Sequence, residues 1–241
     1  MNLYRIGIVA TLVVFAAFAL AADDHGDSVS PVSYKLGITM TKAVQASISP
    51  EQAITILKAG NERFQSGKQL KRDVKKLVQQ TTFGQSPFAS IVACTDSRSS
   101  PEVIFDQNIG DIFVARVAGN VANDDIIGSL EYASKVAGSR VIVVLGHTDC
   151  GAVKGACDNV ILGNLTGLLG KIQPAVNAAK TSGDRNSKNH EFVEEVTEIN
   201  VDDTIKAIRE HSLILKELEE QGKIKIVGAI YDTSNGKIRW R

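Results

Sequence analysis

Two short segments hold the residues best suited to chemistry. One reads CTDSR and begins at Cys94, and the other reads GHTDCG and contains His147 and Cys150. Two thiolates and an imidazole, with a fourth position left for water or another ligand, form the arrangement of a catalytic zinc site. The His-x-x-Cys spacing lets a strand-to-helix turn present both side chains to one ion, and sulfur ligands favour zinc over magnesium or calcium. These three residues are therefore candidate zinc ligands.

The first segment also contains a candidate ion pair. Arg98 follows Asp96 by two residues, close enough to hold the carboxylate ionised and fixed in direction. Such a pair beside a metal ligand suits catalysis, although many loop ion pairs have only a structural role. A disulfide between Cys94 and Cys150 is the main alternative to a metal site, since disulfides form in oxidising compartments. Cys157 is interpreted as a buried or free thiol rather than a ligand.

The positions of these segments depend on an alternation of strands and helices. Short apolar runs predict strands at 88–93, 111–117, 140–145 and 223–231. Helical patterns lie at 71–80, 125–136, 164–180 and 191–220, and Ser49 followed by Pro50 begins an earlier helix. This order predicts an α/β fold with a mostly parallel central sheet flanked by helices. The candidate ligands follow two of the strands, at the sheet edge where α/β proteins bind ligands.

Composition narrows the function further. The chain has 241 residues, of which 44% are hydrophobic, and its 27 basic residues balance 27 acidic ones. A neutral chain lacks the basic footprint of nucleic-acid binding, so no nucleic-acid partner is expected. Three cysteines are too few for a disulfide framework. These features predict a globular protein that acts on a small molecule.

The N-terminal residues form a separate segment. A short basic start, an apolar run from Ile6 to Ala21 and a small-x-small end predict a signal peptide, residues 1–21, cleaved after Ala21. An uncleaved membrane anchor is the alternative reading. Cleavage would leave a periplasmic or secreted protein with no stable membrane association. Residues 22–47 are predicted to be a flexible lead-in, and residues 48–241 a single catalytic domain.

Together, CTDSR and His147-x-x-Cys150-Gly resemble the motifs of the β-class carbonic anhydrases. Further segments resemble family segments and follow one another in the same order as in the family: 85–87, 101–107, 113–120, 129–133 and 227–232. Together with the predicted signal peptide, the resemblance indicates an exported bacterial member of the family. It implies one zinc ion per subunit, bound by Cys94, His147 and Cys150. It also implies that Asp96 and Arg98 form the catalytic dyad.

The same resemblance implies a substrate pocket and an assembly. Gln85, Phe113, Tyr132 and Gly151 are the implied substrate-binding residues. In the family the pocket is built at a dimer interface, so a homodimer or tetramer is expected. The N-terminal helix that begins after Ser49 is expected to pack on the partner subunit.

The implied reaction is the reversible hydration of carbon dioxide to bicarbonate and a proton by zinc-bound hydroxide, which makes the protein a lyase. Some family members close the site by letting the aspartate bind zinc. That switch is associated with a tryptophan and a glycine near the first cysteine, where this chain has Ile91 and Ala93, so the open form of Asp96 is expected. Two alternatives remain: a hydrolase of a related small molecule such as carbon disulfide, and a non-catalytic zinc-binding module.

Overall fold

The central feature of the fold is one mixed sheet. The computed structural model describes residues 39–241, so the predicted signal peptide and residues 22–38 of the lead-in lie outside the described residues. Within residues 39–241, five strands form the sheet in the order β2-β1-β3-β4-β5. They are β1 (Ala89–Ala93), β2 (Ile112–Arg116), β3 (Val141–His147), β4 (Lys225–Tyr231) and β5 (Ile238–Trp240). The first four pair in parallel and β5 pairs antiparallel to β4, which confirms the predicted α/β architecture.

The inner strands are covered on both faces. Every residue of β1 and β3 is buried, as expected for strands whose sequences are nearly continuous apolar runs. Because successive side chains point to opposite faces, Val143 contributes to one apolar cluster with Leu57, while Val144 contributes to another with Val201. The sheet therefore separates two cores, one on each face.

Helices cover these two faces and connect the strands. They are α1 (Lys42–Ser47), α2 (Pro50–Gln65), α3 (Val74–Gln80), α4 (Pro101–Ile104), α5 (Asp124–Glu131), α6 (Gly151–Cys157), α7 (Gly163–Leu169), α8 (Gln173–Ala178), α9 (His190–His211) and α10 (Leu213–Glu220). A 3₁₀ turn spans Ala118–Asn120 and a π turn, Tyr132–Val136, continues α5. No helix within residues 39–241 combines the length and apolar character that crossing a bilayer requires.

Two predicted helices are interrupted. The pattern at 164–180 divides into α7 and α8, because Pro174 has no N–H to donate and its ring obstructs the carbonyl of residue 170. The pattern at 191–220 divides at Ser212, whose backbone is extended and whose hydroxyl accepts from Leu215 N at 3.1 Å. A hydroxyl in this position caps a new helix, so apolar periodicity alone overestimated the helix length.

The start of the described chain also corrects a prediction. Residues 39–47, predicted as part of a flexible lead-in, include α1 and have sequence-distant contacts. Met40 N donates to Asp111 Oδ1 at 2.9 Å, and Gln45 Nε2 donates to Pro87 O at 2.7 Å and Ala137 O at 2.8 Å. These bonds compensate the burial of polar groups and fix a segment whose sequence has no clear periodicity.

The helix predicted after Ser49 is confirmed as α2. The Ser49 hydroxyl accepts from Gln52 N, and the Gln52 side chain accepts from Ser49 N, which completes a capping box. Ala53 and Leu57 on this helix are fully buried in the core of their own chain. The helix start was predictable because the signal is local.

Candidate metal centre

The three candidate zinc ligands meet at one end of the sheet. Cys94 directly follows β1, His147 is the last residue of β3, and Cys150 is the N-cap of α6. Since β1 and β3 are parallel neighbours, their carboxyl ends lie side by side. The two Sγ atoms and a ring nitrogen lie within 4.8 Å of one another, and all three residues are buried.

The two thiols are free rather than bonded to each other. Their Sγ atoms are 3.9 Å apart, far beyond the roughly 2.05 Å of a disulfide, so the disulfide alternative is wrong for this conformation. The hydrogen bond with Cys150 is the main reason why the pKa of Cys94 lies well below its ordinary value, and the same bond raises the pKa of Cys150. Gly119 N also donates to Cys94 Sγ at 3.4 Å. The pair thus stabilises one thiolate, and a cation would stabilise the second.

His147 presents a nitrogen to the same space. Its Nδ1 lies 2.8 Å from Thr148 O, and in the neutral tautomer that donates this bond the Nε2 lone pair is free to bind a metal. Nε2 is buried and has no hydrogen-bond partner among the described residues. A buried polar atom without a partner is costly. The unpartnered Nε2 beside two thiols fits a zinc site, because zinc binds histidine nitrogen and cysteine sulfur.

Apolar side chains surround the cluster. Cys94 and Cys150 belong to a third buried cluster that includes Val121, Val153 and Phe192. Such surroundings limit water access and strengthen electrostatic interactions within the site.

Asp96 and Arg98 form the predicted ion pair at the edge of this cluster. Asp96 Oδ1 accepts from Arg98 N at 2.9 Å and Nε at 3.0 Å, and Oδ2 accepts from Nη2 at 2.8 Å. The bonds from the guanidinium lower the pKa of Asp96 to about 2, so the carboxylate is ionised at neutral pH. Its Oδ2 is 3.9 Å from His147 Nε2, which places the charge beside the candidate metal position.

Phe113 and Tyr132 are brought together, but away from the candidate ligands of their own chain. Their ring centroids are 6.1 Å apart in an edge-to-face arrangement, and they line an open cavity of 690 Å³ on the edge-strand side of the sheet. Phe113 pairs in register with Ser90. Ser90 lies four residues before Cys94, a separation of about 13 Å along a strand.

Gln85 and Gly151 occupy different positions. Gln85 is exposed in the loop that precedes β1. Gly151 directly follows Cys150 as the first residue of α6, and a Cβ at this position would meet no atom within 4 Å. Gly151 therefore borders open space beside the candidate ligands.

The structure adds residues that the sequence did not single out. Asp149, with a left-handed φ of 58°, ion-pairs with Lys154 and places Oδ2 3.7 Å from Arg98 Nη1. Arg116 and Gly119, from the end of β2 and the 3₁₀ turn after it, both bond to Cys94. Both residues lie at or just after the end of the strand next to β1, and this position was the signal available in the sequence. A hydrogen bond to a main-chain carbonyl or to a sulfur, however, produces no recognisable sequence motif.

Comparison with known proteins identifies the family. The family model described as carbonic anhydrase matches residues 89–238, from the first residue of β1 to the first of β5. The chain belongs to the carbonic anhydrase family. It is 36% identical over 197 residues to carbonic anhydrase 2 of Mycobacterium tuberculosis, covering 78% of this chain and 91% of that protein. It is 32% identical over 200 residues to the carbonic anhydrase of Mycolicibacterium smegmatis, covering 80% and 94%.

Solved β-carbonic anhydrases share the fold. A β-carbonic anhydrase of Aspergillus fumigatus superposes with a TM-score of 0.60 at 28% identity, covering 69% of this chain and 81% of that one. A tetrameric β-carbonic anhydrase of Sordaria macrospora gives a TM-score of 0.58 at 25% identity, covering 76% and 90%. The resemblance inferred from the two cysteine-containing motifs is thereby confirmed at the level of family and fold.

Proposed function

We propose that this protein catalyses the reversible hydration of carbon dioxide, with one zinc ion per subunit held by Cys94, His147 and Cys150. The buried cluster of these three residues beside the Asp96–Arg98 pair carries the proposal. Membership of the carbonic anhydrase family and relatives that bear this name support it. A module that only bound zinc would have no chemical use for the ion pair.

The ligand set determines what zinc does here. A zinc ion held by Cys94, His147 and Cys150 would lower the pKa of water toward neutrality and so would supply hydroxide as a nucleophile. With three protein ligands, such a site would leave room for water, as this chemistry requires. The Thr148 carbonyl fixes the orientation of the His147 ring, and such outer contacts help to set metal affinity.

Asp96 orients the nucleophile in this proposal. Because its pKa is held at about 2, the carboxylate is an acceptor at neutral pH and takes a hydrogen bond from the attacking O–H. Arg98 occupies both carboxylate oxygens and keeps the remaining lone pairs directed toward the cluster. This is the open form, in which Asp96 is paired with Arg98 and is not a metal ligand.

The carbon dioxide pocket is proposed to lie between subunits. Phe113 and Tyr132 line a cavity on the side of edge strand β2, about 13 Å along the strands from the cluster of their own chain. In a homodimer or tetramer, they and Gln85 would line the pocket of the partner subunit, with Gly151 on the metal side. The exposed face of α2 would contact the partner. The Sordaria macrospora relative is described as tetrameric.

The cellular location is a proposal from the sequence alone. The charge and hydropathy pattern of residues 1–21 is that of a signal peptide cleaved after Ala21. We infer a bacterial protein that is exported and released into the periplasm or secreted. N-terminal sequencing of the protein from periplasmic and membrane fractions tests this, and an intact N-terminus in the membrane fraction would contradict it.

Proton release on mixing with carbon dioxide tests the activity. Purified protein should accelerate the reaction, lose the acceleration when a chelator removes zinc, and recover it when zinc is restored. Carbon disulfide hydrolysis in a parallel assay tests the alternative substrate. Absence of carbon dioxide hydration by protein that contains one zinc ion per subunit would refute the proposal.

Complementation tests the shared pocket. Cys150→Ser removes a zinc ligand but leaves Tyr132, and Tyr132→Ala does the reverse. If the pocket is shared, a mixed oligomer contains one complete site, so co-expressed variants should recover activity that neither has alone. Mixed oligomers without recovery would place the pocket within one chain.

A further inference from the structure

Arg116 connects the edge strand to the candidate metal centre. It is the last residue of β2 and lies opposite Ala93, the last residue of β1. Its side chain extends past the end of β1, where Nε donates to Cys94 O at 2.8 Å and Nη2 donates to Asp96 O at 2.5 Å. One guanidinium thus bonds to the main chain of a candidate zinc ligand and of the candidate orienting carboxylate.

The two Arg116 bonds lie where the hydrogen-bonded pairing of β1 with β2 ends. Val117 N donates to Ala93 O at 3.0 Å, and beyond this point the chain leaves the sheet. The Asp96 carbonyl also accepts from Ser99 N at 3.1 Å and from Ser99 Oγ at 3.0 Å. Both Ser99 donors are local, whereas Arg116 reaches this loop from 20 residues away.

The contrast between local and distant bonds matters for the Asp96–Arg98 pair. Arg98 is two residues from Asp96 and its side chain is 49% exposed. Its bonds to Asp96 fix the two side chains relative to each other. Its contacts with the neighbouring segment that contains Cys150 are longer: Nη2 donates to Asp149 O at 3.4 Å, and Nη1 lies 3.7 Å from Asp149 Oδ2. A short loop held by its own contacts and by these longer ones could still shift as a unit, whereas the two Arg116 bonds, at 2.8 and 2.5 Å, tie its main chain to the end of β2.

We propose that Arg116 is a positioning residue that fixes the backbone on both sides of Thr95, and through it the placement of the Cys94 sulfur and the Asp96 carboxylate. This inference rests on the proposed function. The role requires arginine, because a planar guanidinium offers several donors in a rigid fork. The single ammonium of lysine cannot reproduce the paired Nε and Nη2 bonds to two carbonyls.

The test compares Arg116→Gln and Arg116→Lys with wild-type protein and with Arg239→Gln. Arg239 is a matched control because its guanidinium is also exposed near a strand end, on β5, but pairs with Glu198. Zinc affinity is measured by competition with a chromophoric chelator. The absorption spectrum of the cobalt-substituted protein reports ligand geometry, and kcat and KM are measured on zinc-saturated protein.

Mutation of residues that hydrogen-bond to metal ligands typically lowers metal affinity or activity by 10- to 100-fold. Both Arg116 variants should therefore bind zinc about 10-fold more weakly and lose about 10- to 100-fold in kcat. KM should stay within about twofold, because the side chain touches no substrate in this proposal. The cobalt spectrum should change, while Arg239→Gln should match wild type in each measurement.

Two outcomes would overturn the inference. Wild-type zinc affinity, spectrum and kcat in both Arg116 variants would show that the loop needs no such anchor. Full recovery in Arg116→Lys, with Arg116→Gln impaired, would show that charge suffices and that the paired bonds are irrelevant. Arg116→Lys retains the charge and the aliphatic stem, so it carries the test if Arg116→Gln fails to fold. If wild-type protein does not hydrate carbon dioxide, zinc affinity and the cobalt spectrum still test Arg116 independently of the proposed function.

Discussion

Replacing Asp96 with asparagine separates metal binding from catalysis. Asparagine has almost the same shape and keeps one carbonyl oxygen for the bonds from Arg98 N and Nε. It places an NH₂ group opposite Arg98 Nη2, where Asp96 Oδ2 accepts at 2.8 Å, and it removes the charge. Because none of the three candidate zinc ligands is altered, zinc content should be unchanged.

The expected loss follows from the bonds at this carboxylate. Hydrogen bonds to charged groups contribute about 1.5–3 kcal/mol, which corresponds to about 10- to 150-fold in rate at 1.36 kcal/mol per tenfold. Positioned groups that accept a proton or its hydrogen bond contribute about 10²- to 10⁴-fold. These ranges overlap near 100-fold, so we expect kcat to fall by about that factor.

Stopped-flow proton release, combined with zinc analysis of the same sample, measures the effect. Asp202→Asn is a matched control, because Asp202 forms a similar side-on pair, with Arg241 Nε and Nη2 at 3.1 and 2.6 Å. The control should keep wild-type kcat. Full activity of zinc-loaded Asp96→Asn would refute the role given to the dyad.

Three further outcomes are expected. Cys150→Ser should lose zinc on dialysis while Cys157→Ser retains it, as zinc analysis of the dialysed proteins would measure; equal retention would contradict the ligand assignment. Chelation should lower the melting temperature reversibly, because a ligand at about a thousandfold excess over its Kd stabilises by about 4 kcal/mol; an unchanged calorimetric melting temperature would argue against a bound metal. Gly60→Ala should destabilise by about 3 kcal/mol in urea unfolding, since its Cβ would lie 1.8 Å from Phe105 O. Gly167→Ala, in open space on α7, should instead stabilise by about 0.5–1 kcal/mol, and similar effects of the two would contradict the packing.

The sequence predicted the features that have local or strongly periodic signals. The strands β1 and β3 were predictable as buried apolar runs, and their parallel pairing brought Cys94 and His147 to one edge. The capping box of α2 was equally predictable. These elements alone were sufficient to place the candidate zinc ligands.

Features that depend on distant partners were not predictable. β5 has three residues and forms through pairing with β4, and α1 is held by bonds from Gln45 to main-chain carbonyls elsewhere. The bonds of Arg116 also go to main-chain carbonyls, which exist at every residue and leave no pattern. The distance between Phe113 and the candidate zinc ligands of its own chain could not be predicted without knowing the strand register.

The location of the ligands on the inner strands has a consequence for metal exchange. A zinc finger is unfolded without its metal, but here two ligands adjoin or end strands whose every residue is buried. Interior strands open only in the rarest fluctuations of a protein, whereas exposed loops open readily. Zinc should therefore enter and leave the folded protein through movements of the 95–98 loop, and its exchange should be much faster than global unfolding.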